Sequence, residues 1–140
     1  MKSLPREYLS FVERVLKEFP MRERELLNLE ETIVACCHVP AISDVPGGNG
    51  GSSEPERITE AKERNAHYQW LARHLEAVRK GLELLNEKEL EIVGLFFRDE
   101  LRTWEVCEML ELDERWVRRV RTRALCKLAR FFLPQWTEQG

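Results

Sequence analysis

The sequence predicts an all-α protein, and three observations carry that expectation. Apolar residues recur at spacings of three and four along most of the 140 residues, the period of helices with one buried stripe. Helix-start signals stand where such stripes begin: Asn86 with Glu89 three residues on, and Asp113 followed by Glu114. The composition, 43% hydrophobic and 34% charged, is that of a helix-rich soluble chain able to bury a real core in one or two small domains.

Taken in order, residues 5–19 place Tyr8, Val12, Val15 and Phe19 on one face, and Pro20 is the predicted stop. Residues 22–37 place Leu26, Leu29, Ile33 and Cys37 on another face. The stretch 40–55, AISDVPGGNGGSSEPE, is rich in Gly, Pro and Ser and is expected to be a loop or linker. Its GGNGG has no strand before it and no Gly-Lys-Ser/Thr after it, which argues against a phosphate-binding loop.

A long helix is expected from roughly Glu56 to Leu85. Tyr68, Leu71, Leu75, Val78, Leu82 and Leu85 alternate spacings of three and four, the pattern of a coiled-coil seam. The seam is short, so packing within the chain as part of an N-terminal bundle is favoured over homodimerisation through the same face. Residues 1–85 are therefore expected to form an N-terminal helical region.

A second module is expected over residues 86–134. Its first helix starts at Asn86 and presents Leu90, Val93, Phe96 and Phe97, and Asp99-Glu100-Leu101-Arg102 breaks it. A short helix from Thr103 turns Val106 and Leu110 inward, with Cys107 at a tight position. Glu111-Leu112-Asp113 forms a three-residue turn, and a basic helix follows, buried along Val117, Val120, Ala124, Leu128 and Phe131. Short helix, tight turn and basic helix make the helix-turn-helix pattern.

Charge points the same way. Residues 114–133 hold seven Lys/Arg and one Glu, a balance of +6; the whole chain carries −3, so the remainder carries −9. Basic charge concentrated on an acidic chain implies a localised, oriented electrostatic footprint, not a coat for unspecific nucleic-acid binding.

The run LNEKELEIVGLFFRDELRTWEVCEMLELDERWVRRVRTRALCKL resembles region 4 of housekeeping-type bacterial sigma factors. The shared positions are Asp113, Val117, Arg118 and Arg123-Ala124-Leu125-Cys126-Lys127-Leu128, about a third of the chain with the helices before them. A closer likeness is to phage transcriptional activators of the RinA and ArpU type, carried by Thr103-Trp104-Glu105-Val106-Cys107 and Glu114-Arg115-Trp116-Val117-Arg118-Arg119. Two positions depart from the pattern. Glu111 stands where many helix-turn-helix proteins have a left-handed Gly, and Asp113 replaces the usual Ser, which caps equally well. A sigma factor also needs a promoter-melting region, and the aromatic-rich helix expected of one is missing here.

The resemblance implies a phage or prophage late-gene activator that binds double-stranded promoter DNA and acts with host RNA polymerase. It points to Glu114, Arg115, Arg118 and Arg119 as the early, exposed positions of a recognition helix. Arg suits bidentate contact with guanine and Glu accepts from cytosine N4. Arg102, Arg121, Arg123 and Lys127 are expected to hold phosphates, with Glu89, Glu91 and Glu105 as structural partners for an arginine at position 123. Two roles stay open for Trp116: contact with DNA backbone or partner protein, or a half-buried brace of the turn. Two other functions stay open for the chain. One is the DNA-recognition subunit of a phage terminase; the other is a protein-interaction module that engages polymerase.

Metal and enzyme chemistry are not expected. Cys36, Cys37 and His38 are contiguous, but adjacent cysteines seldom reach one metal, so apolar packing near a helix end is the better account. His67 and His74 share a helix face as a solvated or interface feature. No hydrolase, zincin or nucleotide motif is present, and the acids are spread as i,i+4 partners, so neither catalysis nor a cofactor is expected. The four cysteines lack a disulfide framework, the N-terminus lacks a secretory pattern and no long apolar run occurs. A bacterial host's cytoplasm, with no membrane partner, is the expected compartment.

Overall fold

The computed structural model describes residues 4–37 and 53–139, with side chains as far as Pro134. Within them the fold is all-α: α1 Arg6–Cys37, α2 Glu54–Arg64, α3 Ala66–Leu82, α4 Glu87–Val93, α5 Thr103–Leu110 and α6 Glu114–Gln139, with a π-helical turn Gly94–Arg98 extending α4. The chain divides into two compact units, residues 1–20 with 76–140, and residues 21–75.

Two expected breaks fall elsewhere. Pro20 does not end a helix but lies inside α1. An interior proline costs about 3 kcal/mol, yet Met21-Arg22-Glu23-Arg24-Glu25-Leu26-Leu27 supplies good helix formers and no turn residue. Val12, Val15 and Leu16 before it and Ile33 after it are buried, so each flanking segment is packed as helix. Conversely, the single helix expected from Glu56 to Leu85 is two helices parted at Asn65. Asn65 leaves helical geometry (φ −83°, ψ 103°), and its Oδ1 accepts from Tyr68 N at 2.9 Å, capping α3. The helix preceding it starts at Glu54, where Ser53 Oγ accepts from Glu56 N and Pro55 occupies the first turn. The rest of the expected loop, and His38, lie outside the described residues.

The unit formed by residues 1–20 and 76–140 has two apolar clusters. In the larger, Val12, Val15 and Leu16 of α1 join Val78 of α3 and Leu85, with Val93 and Phe97, around Leu125, Leu128 and Phe132 of α6. Each such side chain, fully buried, contributes about 1.5–3 kcal/mol. The boundary expected at 85/86 therefore does not separate the compact units, because the end of the α3 seam and the start of α1 share a core with the C-terminal helix. Gly81 permits this closeness: a Cβ there would sit 2.6 Å from Phe132 Cε1. Leu71, Leu75, Val78 and Leu85 are all buried, so the seam is covered within one chain.

Asn86 and Glu89 form the expected capping box. Asn86 Oδ1 accepts from Glu89 N at 2.8 Å, and Glu89 Oε1 accepts from Asn86 N at 2.9 Å. On α4 the buried residues are Glu89, Ile92 and Val93, whereas Leu90 is exposed. The π-turn, closed by Asp99 N donating to Gly94 O at 3.0 Å, shifts the helical phase so that Phe97 is buried and Phe96 half-buried.

In the unit of residues 21–75, Ile33, Leu71 and Leu75 are buried and Leu26, Leu29 and Cys37 half-buried. Polar contacts tie α1 to α3: His67 Nε2 lies 2.7 Å from Glu25 Oε1, and Tyr68 Oη donates to Glu30 Oε1 at 3.0 Å. The hydrogen bonds from His67 and Arg22 hold the Glu25 carboxyl below its ordinary range. Burial, then the Glu30 carboxylate, raises the Tyr68 phenol. His67, Trp70 and His74 stack in sequence on one face of α3, with Arg22 over Trp70. Cys37 Sγ donates weakly to Arg57 O at 3.7 Å, whereas Cys36, expected to pack, is exposed.

Candidate nucleic-acid interface

A cluster of four buried side chains, Ile92, Val106, Val117 and Val120, holds α4, α5 and α6 together. Leu101, Cys107, Leu110 and Leu112 close around it. The turn between α5 and α6 is a Schellman motif: Leu112 N donates to Cys107 O at 3.1 Å and Glu111 N to Glu108 O at 3.4 Å. Glu111 is left-handed (φ 54°, ψ 46°), a conformation that glycine adopts more readily than any other residue. Asp113 then takes the N-cap position, its carbonyl accepting from Val117 N at 3.0 Å. The preceding break is built alike: Leu101 N donates to Leu95 O, and Glu100 has φ 53°. Glu105 Oε1 accepts from Arg102 N at 3.0 Å, fixing the start of α5.

This packing sets which face of α6 meets solvent. Val117, Val120, Ala124 and Leu128 are buried. Arg115, Arg119, Arg123 and Arg130 are exposed at spacings of four, four and seven, a continuous stripe on the opposite side. Arg118 lies on the flank of that stripe, its Nη2 2.6 Å from Glu114 Oε1 one turn earlier. Glu114 therefore screens one of the four early positions and orients its guanidinium. Arg102, at the head of α5, is exposed as well. Arg130 was outside the predicted set, although its spacing from Arg123 signalled the shared face.

Two of the expected phosphate-binding cations turn inward instead. Arg121 Nη2 donates to Glu13 Oε1 at 3.1 Å, and its guanidinium stacks over Phe96 and Phe97 at 4.9 and 5.3 Å. Residue 121 lies between Val117 and Ala124 on the buried face of α6, within reach of the rings of Phe96 and Phe97. Lys127 Nζ donates to Glu89 Oε1 at 2.7 Å. Glu89, expected as a partner for the arginine at 123, is held by this lysine, while Arg123 contributes only longer-range attraction. Burial pushes the Glu89 carboxyl up, but the Asn86 N–H, Lys127 and Arg123 together outweigh it and hold it below its ordinary range.

Trp116 is 38% exposed and belongs to neither apolar cluster, so it does not brace the core. On α5, Trp104 and Met109 are 59% and 61% exposed. Among the described residues no group of three or more His, Cys, Asp or Glu side chains is arranged to hold a metal, and no helix is long and apolar enough to cross a membrane. No family model, curated protein or solved structure matches the chain.

Proposed function

We propose that the chain is a sequence-specific DNA-binding transcriptional regulator, a phage or prophage late-gene activator that works with host RNA polymerase in the bacterial cytoplasm. The observation that carries this reading is the division of α6: valines at 117 and 120 are buried against α4 and α5, and arginines at 115, 119 and 123 occupy the opposite stripe. A helix docked by one apolar face and basic on the other suits the major groove. In this account Arg115, Arg118 and Arg119 read base edges with Glu114, while Arg102, Arg123 and Arg130 hold phosphates. Arg121 and Lys127 are left to the fold. A mobility-shift assay on promoter-region duplexes against random-duplex competitor tests it. Specific retention that is lost in Arg118→Ala and Arg119→Ala supports the reading, and equal retention of every duplex refutes it.

A second reading draws on Trp104 and Met109. Their exposure on α5 favours a module that also engages a protein surface, polymerase included. Trp104→Ala should then lower promoter activation while leaving duplex affinity unchanged.

A further inference from the structure

Among the described residues Glu89 is the only fully buried charged side chain. Its two carboxylate oxygens are served unequally. Oε1 accepts from Asn86 N at 2.9 Å and from Lys127 Nζ at 2.7 Å. Oε2 is shut away from solvent and accepts no hydrogen bond. A buried carboxylate oxygen without a donor is costly, so a cation able to reach it lowers the free energy by doing so. Arg123 is that cation. It stands one turn before Lys127 on α6, on the side of the helix from which the lysine reaches α4. Arg123 is exposed, makes no ion pair or hydrogen bond with another described residue, and already attracts the Glu89 carboxylate.

We propose that Arg123 alternates between Glu89 Oε2 and a DNA phosphate, so that Glu89 is an internal competitor for the arginine. This rests on the DNA-binding reading above and adds a control to that same site. When Arg123 turns outward to a phosphate, Lys127 stays on Oε1, and the buried carboxylate keeps a cation. Without that lysine the exchange would strand a buried charge. Both ends of the exchange are charge-assisted hydrogen bonds, so part of what the phosphate gains is lost from Oε2. Glu89 is thus a positioning residue that acts through Arg123 and touches no DNA.

Two measurements on the full chain test it. The first needs no DNA: the Glu89 carboxyl carbon is followed by NMR through an acid titration of wild type and Arg123→Ala. Removing the guanidinium should move the Glu89 midpoint upward, and an unmoved midpoint overturns the proposal. The second is a cycle of Kd values on a duplex that the wild-type chain selects from a randomised pool. Glu89→Gln keeps an acceptor for Asn86 N–H and Lys127 but loses the charge. It should tighten binding by about threefold to tenfold, and by less than about twofold in the Arg123→Ala background. Equal tightening in both backgrounds overturns the proposal, because a general loss of negative charge would do the same. Unchanged affinity in a Glu89→Gln variant with intact helical circular dichroism overturns it as well. A chain that selects no duplex overturns the DNA-binding reading and this inference with it, whereas the other adverse results overturn the inference alone.

Discussion

Lys127 Nζ lies 2.7 Å from Glu89 Oε1, and the Glu89 side chain has no solvent exposure. One oxygen of this carboxylate serves both the N-cap of α4 and a lysine of the basic helix, so the pair locks the two elements together. Glu89→Ala should cost about 1–3 kcal/mol, since it removes the acceptor of the Asn86 N–H and the partner of a half-exposed lysine. Because the Glu89 carboxyl is held low, its contribution is present above the unfolded carboxylate range and is lost as pH falls through its folded value. Urea melts of wild type and Lys127→Ala across acidic pH check this: the variant should be less stable near neutrality and should lose less on acidification.

Gly81→Ala should destabilise the fold by about 1–3 kcal/mol through overpacking, despite the better helix propensity of alanine. The reason is the rigid, fully buried Phe132 ring 2.6 Å from the new Cβ. Adding Phe132→Leu should make the double variant more stable than the sum of the two single costs predicts, as measured by a thermal-melt cycle.

Glu100→Gly and Glu111→Gly should each stabilise the protein by about 0.5–1 kcal/mol, because both glutamates sit at positive φ where a Cβ is disfavoured. Denaturant midpoints should rise with unchanged slopes, and DNA affinity should not move.

These positions also mark what the sequence made legible. The capping box at Asn86, the left-handed turn at Glu111 and the seam from Leu71 to Leu85 are local patterns, each set by residues within a few turns of one another. Pro20 misled because a stop signal is a local preference, and burial on both sides of it overrode that preference. Asn65 was a cap hidden inside an unbroken apolar period. The union of residues 1–20 with 76–140, and the inward turn of Arg121 onto Glu13, join positions up to 108 residues apart. No spacing within the basic helix names Glu13 as a partner, although Arg121, four residues after Val117 and three before Ala124, falls on its buried face.

Alanine replacements should separate those cations. Arg121→Ala is expected to lower stability by about 1–2 kcal/mol, from its hydrogen bond and its two ring contacts, with little effect on binding by the folded protein. Arg119→Ala should leave the melting temperature nearly unchanged and lose about 1–3 kcal/mol of sequence discrimination. Paired melts and competition titrations read both quantities.

The central claim is that the exposed Arg102, Arg123 and Arg130 neutralise DNA phosphates while the early arginines of α6 read base edges. Affinity for a duplex measured against salt concentration tests it most directly. With about three phosphates engaged, log affinity should fall with log salt at a slope near −2.7. Lys127→Ala should keep that slope, and Arg123→Ala should reduce it by about one. A wild-type affinity that does not change with salt would contradict the account.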